Sequence, residues 1–119
     1  WEDWNHTGKE WVIKLSPGGE TAWMKSYGDW EGSNHWYYGN TETWQMLPTS
    51  TGNFVTVGET YKVELPDTTV FYERPMFVEI DTAGNEIWHN VYTDNMFVGS
   101  GYSGDIDSHD NLYIGGFTA

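Results

Sequence analysis

The segment "VEIDTAGNEIWHNVY" at residues 78–92 decides the fold, because a similar segment occurs earlier in the chain. "IKLSPGGETAWMKSY" at residues 13–27 aligns with it over fifteen residues without a gap. The alignment places Gly19 on Gly84, Trp23 on Trp88 and Tyr27 on Tyr92. Self-similarity of this kind predicts a repeat architecture.

A second pair of segments repeats at a different spacing. "PTSTGNFVTVGET" at 48–60 aligns with "IDSHDNLYIGGFT" at 106–118, and the two kinds of segment alternate along the chain. The stretches 28–43 and 61–75 lie between them and differ in length. Repeat proteins tolerate insertions at such places, so we expect linkers there.

Each repeated segment has the pattern of a β-hairpin. Around the turn "DTAGN", apolar and polar residues alternate with a period of two, and the turn itself is rich in Asp, Gly and Asn. No segment shows the 3.6-residue period of an amphipathic helix. The sequence therefore predicts an all-β chain of eight short strands, arranged as four-stranded antiparallel units.

Composition narrows the classes of function. Among 119 residues, 18 acidic against 5 basic side chains give a net charge of -13, which repels nucleic acid and anionic lipid. Nucleic acid is therefore not an expected partner. No apolar run is long enough for a membrane span, so membrane insertion is not expected either. The chain has no cysteine, which excludes disulfides and thiolate metal sites. Eight Trp, eight Tyr and 14 Gly are typical of strands joined by tight turns.

Two motifs resemble a known family. "DSHDNLYIGGFT" and "STGNFVTVGET" are similar to the D-x-x-G-N-x-Y-x-x-G-x-T motif of bacterial β-propeller repeats found in exported and surface proteins. "FVEIDTAGNEIWHNVY" resembles the F-V-x-K-x-D-x-x-G-x-x-x-W-x-x-x-Y segment that follows that motif in the family. Asp110 replaces the turn glycine in one copy, and Glu79 replaces the usual lysine.

The resemblance implies how the chain is divided. Residues 1–119 would form a single propeller segment of about two blades' worth, with 43–92 as one complete blade. Residues 11–27 would be the outer half of the preceding blade, and 103–118 the inner half of the next. At roughly 50 residues per blade, a closed ring needs about 200 to 400 residues. Further blades of a longer chain, other subunits, or a sandwich of two four-stranded sheets are therefore expected to cover the exposed faces.

Four repeated aromatic residues are predicted to be structural. They lie four apart in a strand, so each pair shares one face, and we expect the tryptophans to cover their own sheet against the next. These residues are Trp23, Tyr27, Trp88 and Tyr92.

The linker "GDWEGSNHWYYGN" at 28–40 supplies candidate binding residues. Aromatic side chains on a loop can stack on sugar rings or anchor a partner protein. The alternative is that they fold over the end of a sheet. The candidates are Trp30, Trp36, Tyr37 and Tyr38.

The acidic turn "DIDSHDN" at 105–111 raises the question of calcium. Asp105, Asp107 and Asp110 supply hard oxygen ligands, but their spacing departs from the calcium-loop template. Local side-chain hydrogen bonds that close a hairpin turn explain the same residues. We expect no cofactor, with Ca²⁺ as the one weak candidate.

No catalytic motif is present in the sequence. It lacks the nucleophile elbow, the zinc-protease helix motif, the phosphate loop and the dinucleotide motif. The sequence therefore favours a non-catalytic binding or display scaffold, exported or at the cell surface, with a protein or glycan ligand. Part of a propeller-fold polysaccharide hydrolase or lyase is one alternative, and a free lectin-like β-sandwich module is the other.

Overall fold

The structure is a computed structural model that describes residues 9–28, 36–64, 71–92 and 99–118. The described residues form eight β-strands and no helix, so none of them belongs to a helix that could cross a membrane. The strands are β1 (Glu10–Leu15), β2 (Thr21–Tyr27), β3 (Trp36–Pro48), β4 (Phe54–Glu64), β5 (Phe71–Ile80), β6 (Glu86–Val91), β7 (Gly99–Ile106) and β8 (Leu112–Thr118).

The strands form three antiparallel sheets. A central sheet has the order β3-β4-β5-β6, and the hairpins β1-β2 and β7-β8 form two-stranded sheets. This confirms the all-β prediction and the presence of a four-stranded antiparallel unit. Two four-stranded sheets, as the sandwich alternative requires, are not found among the described strands.

The predicted linkers are partly wrong. Strand β3 begins at Trp36, β4 continues to Glu64, and β5 begins at Phe71, so strands extend into both stretches that we expected to be loops. The extended parts of these strands are hydrogen-bonded to one another, since Trp36 lies opposite Glu64 and Tyr61 lies opposite Glu73. Pairing with β4 overrides the turn-like composition of "YYGNTE" in β3.

The hairpin turns repeat one arrangement. Asp81 Oδ1 accepts hydrogen bonds from the backbone N–H groups of Ala83 and Asn85, both at 2.9 Å. Asp107 does the same for His109 and Asn111, at 2.8 and 3.0 Å. In each turn, the side chain of the first residue therefore holds the backbone of the later turn residues in place.

The hairpin β1-β2 covers one face of the central sheet. Val12 and Tyr27 of the hairpin pack with three β5 side chains that are at most 1% exposed, and Trp23 packs at the edge of this cluster. Alternate positions of a strand share a face, which explains the spacing of the β5 residues. They are Met76, Val78 and Ile80.

The hairpin β7-β8 covers the opposite face. Gly104 N–H donates to Gln45 Oε1 of β3 at 2.7 Å, and a Cβ added at Gly104 would lie 3.4 Å from Leu47 Cδ1. A Cβ at Gly101 would lie 3.5 Å from Val57 Cγ1. Leu47 and Val57 are 6% and 0% exposed, so β3 and β4 are buried on this face also. The molecule therefore has three layers, with the four-stranded sheet in the middle.

The four repeated aromatic residues lie in unequal surroundings. Tyr27 is buried and Trp23 is half-buried, both against the turn that joins β5 to β6. Trp88 and Tyr92 are 37% and 43% exposed. The first pair therefore lies between two sheets, and the second pair lies at the surface of the described structure.

Candidate functional site

The predicted binding residues lie apart from any loop that the structure describes. The backbone of Trp36, Tyr37 and Tyr38 belongs to β3, where the three residues pair with the end of β4. Trp30 lies outside the described residues. Their proposed role in binding therefore stays a prediction, while their placement on a loop is wrong for Trp36 to Tyr38.

A different group of aromatic residues is brought together by two β-bulges. The pairing of β3 with β4 shifts between Thr43 and Gln45, and that of β7 with β8 shifts between Gly101 and Ser103. The residue inside the first bulge is Trp44, and the residue inside the second is Tyr102. A bulge redirects the side chain it contains, so both rings leave the alternation of their strand.

The redirected rings form an exposed aromatic ladder. The centroids of Trp44 and Tyr102 are 5.5 Å apart with an interplanar angle of 66°, which is an edge-to-face contact. Tyr102 then stacks on Phe117 with centroids 5.6 Å apart and an angle of 17°. All three rings keep 45% to 51% of their surface exposed. We call Trp44, Tyr102 and Phe117 the aromatic ladder.

The sequence contained a signal for the ladder. Extending the alignment of 48–60 with 106–118 by four residues places Trp44 on Tyr102, at the same spacing. Alternation within a strand nevertheless predicts an ordinary face for both residues, so the aligned positions alone do not identify the ladder. The bulge that turns them outward has no clear sequence mark.

A group of carboxyl side chains lies beside the ladder. Glu42 of β3 lies opposite Glu59 of β4 in the strand register, and Glu59 is 5% exposed. Burial, a hydrogen bond with Glu59 and the charges of Glu59 and Glu42 raise the pKa of Glu73 to about 7. Burial and the charges of these carboxylates and of Tyr102 raise the pKa of Tyr61 to about 12. We call Glu42, Glu59 and Glu73 the carboxyl cluster.

Glu73 is the titratable member of this cluster near neutral pH. With its pKa raised to about 7, first by burial and then by the neighbouring carboxyl groups, its carboxyl is about half protonated there. Such a group can donate as well as accept hydrogen bonds. Glu42 lies two residues from Trp44 along β3, so hydrogen-bonding carboxyl groups lie near one ring of the ladder.

Another acidic side chain is buried between two layers. Glu10 is 2% exposed, and its carboxylate accepts hydrogen bonds from the hydroxyls of Thr43 and Thr56, the second at 3.2 Å. Its backbone N–H donates to Thr41 Oγ1 at 2.6 Å. Burial raises the pKa of Glu10, against the opposing effect of the two threonine hydroxyls. These bonds fasten β1 to the central sheet and leave Glu10 no solvent-facing role.

The candidate calcium ligands form hydrogen bonds within the protein. Asp107 Oδ2 accepts from Asn111 Nδ2 at 2.9 Å and from the Tyr113 hydroxyl at 3.2 Å, in addition to its turn bonds. Asp110 accepts from the Ser50 backbone N–H at 2.9 Å and from its hydroxyl. These bonds lower the pKa of both aspartates. Asp105 Oδ1 accepts from the Ile106 backbone N–H at 2.8 Å.

The contacts of Asp105 and Asp107 lie within their own hairpin, whereas those of Asp110 join this turn to Ser50 in the turn between β3 and β4. In the described part of the chain, no three His, Asp or Glu side chains converge to hold a metal ion. Asp110 has φ of 61°, where the equivalent Gly52 has 87°. Its bonds to Ser50 compensate for a backbone conformation that favours glycine.

One open cleft, lined by described residues, lies away from the ladder. A cleft of about 200 Å³ separates β1-β2 from the central sheet, and its walls are mostly apolar. Lys14 and Asp81 are its charged residues, so it contains no pair of carboxyl groups. The cleft, the aromatic ladder and the carboxyl cluster therefore do not combine into one enclosed active site.

Comparison with known proteins gives no relative for this chain: no family model matches it, and no curated protein and no solved structure is similar to it.

Proposed function

We propose that the chain is a β-propeller section that acts as a non-catalytic binding scaffold and presents the aromatic ladder to a glycan. One observation carries the proposal: three exposed rings form a continuous row on a rigid, layered support. Exposed aromatic clusters of this kind are typical of ligand or partner sites. Since sheets fix the ladder, binding would cost little ordering of the protein.

The propeller assignment rests on the repeat and on the layering. In it, 11–27 and 103–118 are half-blades on either side of the complete blade 43–92. The order of the three sheets and the burial of the central sheet on both faces support this division. Export to the cell surface is part of the same proposal, and it rests on the family resemblance alone.

Charge indicates which glycans the ladder would accept. The net charge of -13 and the adjacent carboxyl cluster would repel a polyanionic chain. Neutral or amino-sugar polymers combine an apolar ring face, which stacks on aromatics, with hydroxyl or ammonium donors for Glu42 and Glu73. A protein partner remains the alternative ligand, because aromatic side chains also dominate protein interfaces.

A glycan array separates these ligands. We expect the wild-type chain to bind neutral or amino-sugar oligosaccharides, and Trp44→Ala and Tyr102→Ala to reduce binding at least tenfold. Ile87→Ala is the control, because Ile87 is 50% exposed and lies outside the ladder. Trp36→Ala tests the binding residue predicted from sequence. No response to any neutral or amino-sugar glycan would refute the proposal.

The carboxyl cluster favours a second candidate, a polysaccharide hydrolase. Glycosidases need one carboxyl that is protonated near neutral pH beside a second carboxyl, and Glu73, whose pKa is raised to about 7, is hydrogen-bonded to Glu59. Against it, Glu59 is 5% exposed and has poor access to a substrate. Release of reducing ends from a bound glycan, abolished in Glu73→Gln, would establish the hydrolase and replace the scaffold.

A further inference from the structure

The chain contains one docked copy of its Trp–Tyr pair. Trp23 Nε1 donates to the Thr82 carbonyl at 3.2 Å, and the Tyr27 hydroxyl donates to the Gly84 carbonyl at 2.7 Å. A Cβ at Gly84 would lie 3.0 Å from the Trp23 ring, so the ring rests directly on this glycine. The pair therefore binds the turn at 81–85 through two carbonyl groups and one bare backbone position.

The second copy of the pair is exposed. Trp88 and Tyr92 have the same spacing and follow the same turn type, but 37% and 43% of their surface is open. Trp88 Nε1 donates to Glu79, on the neighbouring strand of its own sheet. Glu79 occupies the position that Lys14 has in the first copy. Trp88 and Tyr92 are therefore the same residue types that bind a turn in the first copy, but here they are exposed to solvent.

The second copy of the turn is exposed as well. The turn at 16–20 has the form of the turn at 81–85: Gly19 N–H donates to the Ser16 carbonyl at 2.9 Å, and Gly84 N–H to the Asp81 carbonyl at 3.0 Å. Gly19 and Gly84 have φ of 85° and 81°. A Cβ at Gly19 would meet nothing within 4 Å, whereas one at Gly84 meets Trp23. The surface over Gly19 is open.

The hairpin that carries the open turn also has an open apolar face. Three residues of its strand β1 correspond, 65 residues later in the repeat, to Met76, Val78 and Ile80 of β5, which are 0% to 1% exposed. The β1 residues and a β2 neighbour are 37% to 64% exposed. They are Trp11, Ile13, Leu15 and Met24.

The matching strand edges are open too. In the central sheet β4 pairs with β5, with Phe54 opposite Ile80. The repeat places Leu112 of β8 at the position of Phe54, and Leu15 of β1 at the position of Ile80. Within the described structure β8 pairs with β7 alone and β1 with β2 alone. Unpaired edges of this kind accept an added strand.

We propose that two copies of this chain associate head to tail. Strand β1 of one copy adds to β8 of the other, with Leu15 opposite Leu112, and completes a second four-stranded sheet. Trp88 and Tyr92 of the copy that supplies β8 then seat on the turn at 16–20 of the copy that supplies β1. On docking, Trp88 Nε1 gives up its bond to Glu79 and donates to the Pro17 carbonyl, and the Tyr92 hydroxyl donates to the Gly19 carbonyl.

The contact joins different surfaces of the two copies. It is therefore heterologous, and each dimer keeps one free surface of each kind, so addition continues until a ring closes or a filament grows. The contact uses neither Trp44 nor Tyr102. It goes beyond the proposed glycan binding, and either proposal can fail while the other stands.

Complementary variants test the proposal. Trp88→Ala/Tyr92→Ala removes one surface, and Ile13→Glu/Leu15→Glu removes the other; all four side chains are at least 37% exposed, so the fold should tolerate the changes. Circular dichroism checks that it does. Ile87→Ala is the control, because Ile87 is 50% exposed on the opposite face of β6.

Sedimentation velocity of the 119-residue chain over a range of concentrations gives the answer. We expect wild type and Ile87→Ala to sediment as multiples of 13.7 kDa, and each double variant to sediment as a 13.7 kDa monomer. An equimolar mixture of the double variants should form a dimer of twice 13.7 kDa, because each supplies the surface that the other lacks. Wild type that stays monomeric at the highest concentration, or a mixture that does not dimerise, would overturn the proposal.

Discussion

Gly58→Ala should disrupt the central sheet at the bulge that turns Trp44 outward. A Cβ at Gly58 would lie 1.8 Å from the Glu42 carbonyl oxygen and 3.0 Å from Thr43 Cα. Both are backbone atoms, so no side-chain rotation can relieve the clash. Ordinary contact begins at 3.4 Å, so β3 must move away from β4 next to the bulge.

The cost of this movement can be estimated. Overpacking that side chains can absorb costs roughly 1–3 kcal/mol, and a shift of a paired backbone also weakens ladder hydrogen bonds. We therefore expect a loss of about 3 kcal/mol, at the upper end of that range. For a chain of this size, that lowers Tm by roughly 10–15 °C. Displacement of Trp44 from Tyr102 should also weaken any ligand binding by the ladder.

Thermal unfolding followed by circular dichroism measures the effect. Gly115→Ala is the matched control, because Gly115 lies in the equivalent hairpin and a Cβ there meets only the Ser103 carbonyl, at 3.9 Å. We expect the control to change stability by no more than about 0.5 kcal/mol. If the two variants melt within a few degrees of each other, the explanation of the bulge is wrong.

Three further predictions concern the core, a buried hydrogen bond and pH. Met76 is 0% exposed, so Met76→Ala should cost about 2–5 kcal/mol in urea unfolding, and a cost below about 1 kcal/mol would contradict its burial. Tyr27→Phe removes the bond to the Gly84 carbonyl and should cost about 1 kcal/mol by the same assay, and an unchanged urea midpoint would contradict this. Glu73 has a pKa of about 7 in the folded chain against 4.5 ordinarily, so the folded state binds this proton more tightly. The urea midpoint should therefore fall as pH rises from about 4.5 to about 7 and then level off, and Glu73→Gln should flatten this slope. Asp107 acts in the opposite sense at lower pH, because its pKa is lowered from 3.8 and its contribution is lost as pH falls below that value.

The four hairpins were predictable from the sequence because local chemistry determines them, whereas the pairing of β4 with β5 was expected only from the family resemblance. Two repeated hairpin patterns, each with a turn built on Asp, Gly and Asn, give antiparallel pairs almost without reference to the rest of the chain. The turn bonds of Asp81 and Asp107 are the same in the structure. The lengths of β3, β4 and β5 were not predictable, since pairing with a neighbouring strand extends each of them through polar residues.

The candidate site was less predictable than the fold, because it depends on distant contacts. The aromatic ladder requires two bulges and the packing of β7-β8 on the central sheet. The carboxyl cluster requires the register that sets Glu42 opposite Glu59 and Tyr61 opposite Glu73. The density of aromatic residues along the sequence favours Trp36 and its neighbours as a binding site, but density alone does not identify which rings contact one another.

Burial of the central sheet on both faces is the claim on which the rest depends. One three-dimensional NOESY spectrum of the isotope-labelled chain tests it most directly. We predict cross-peaks from Val78 to Val12 or Tyr27 on one face, and from Val57 to Gly101 or Ile114 on the other. Cross-peaks on one face only would show two layers instead of three, and would contradict the account.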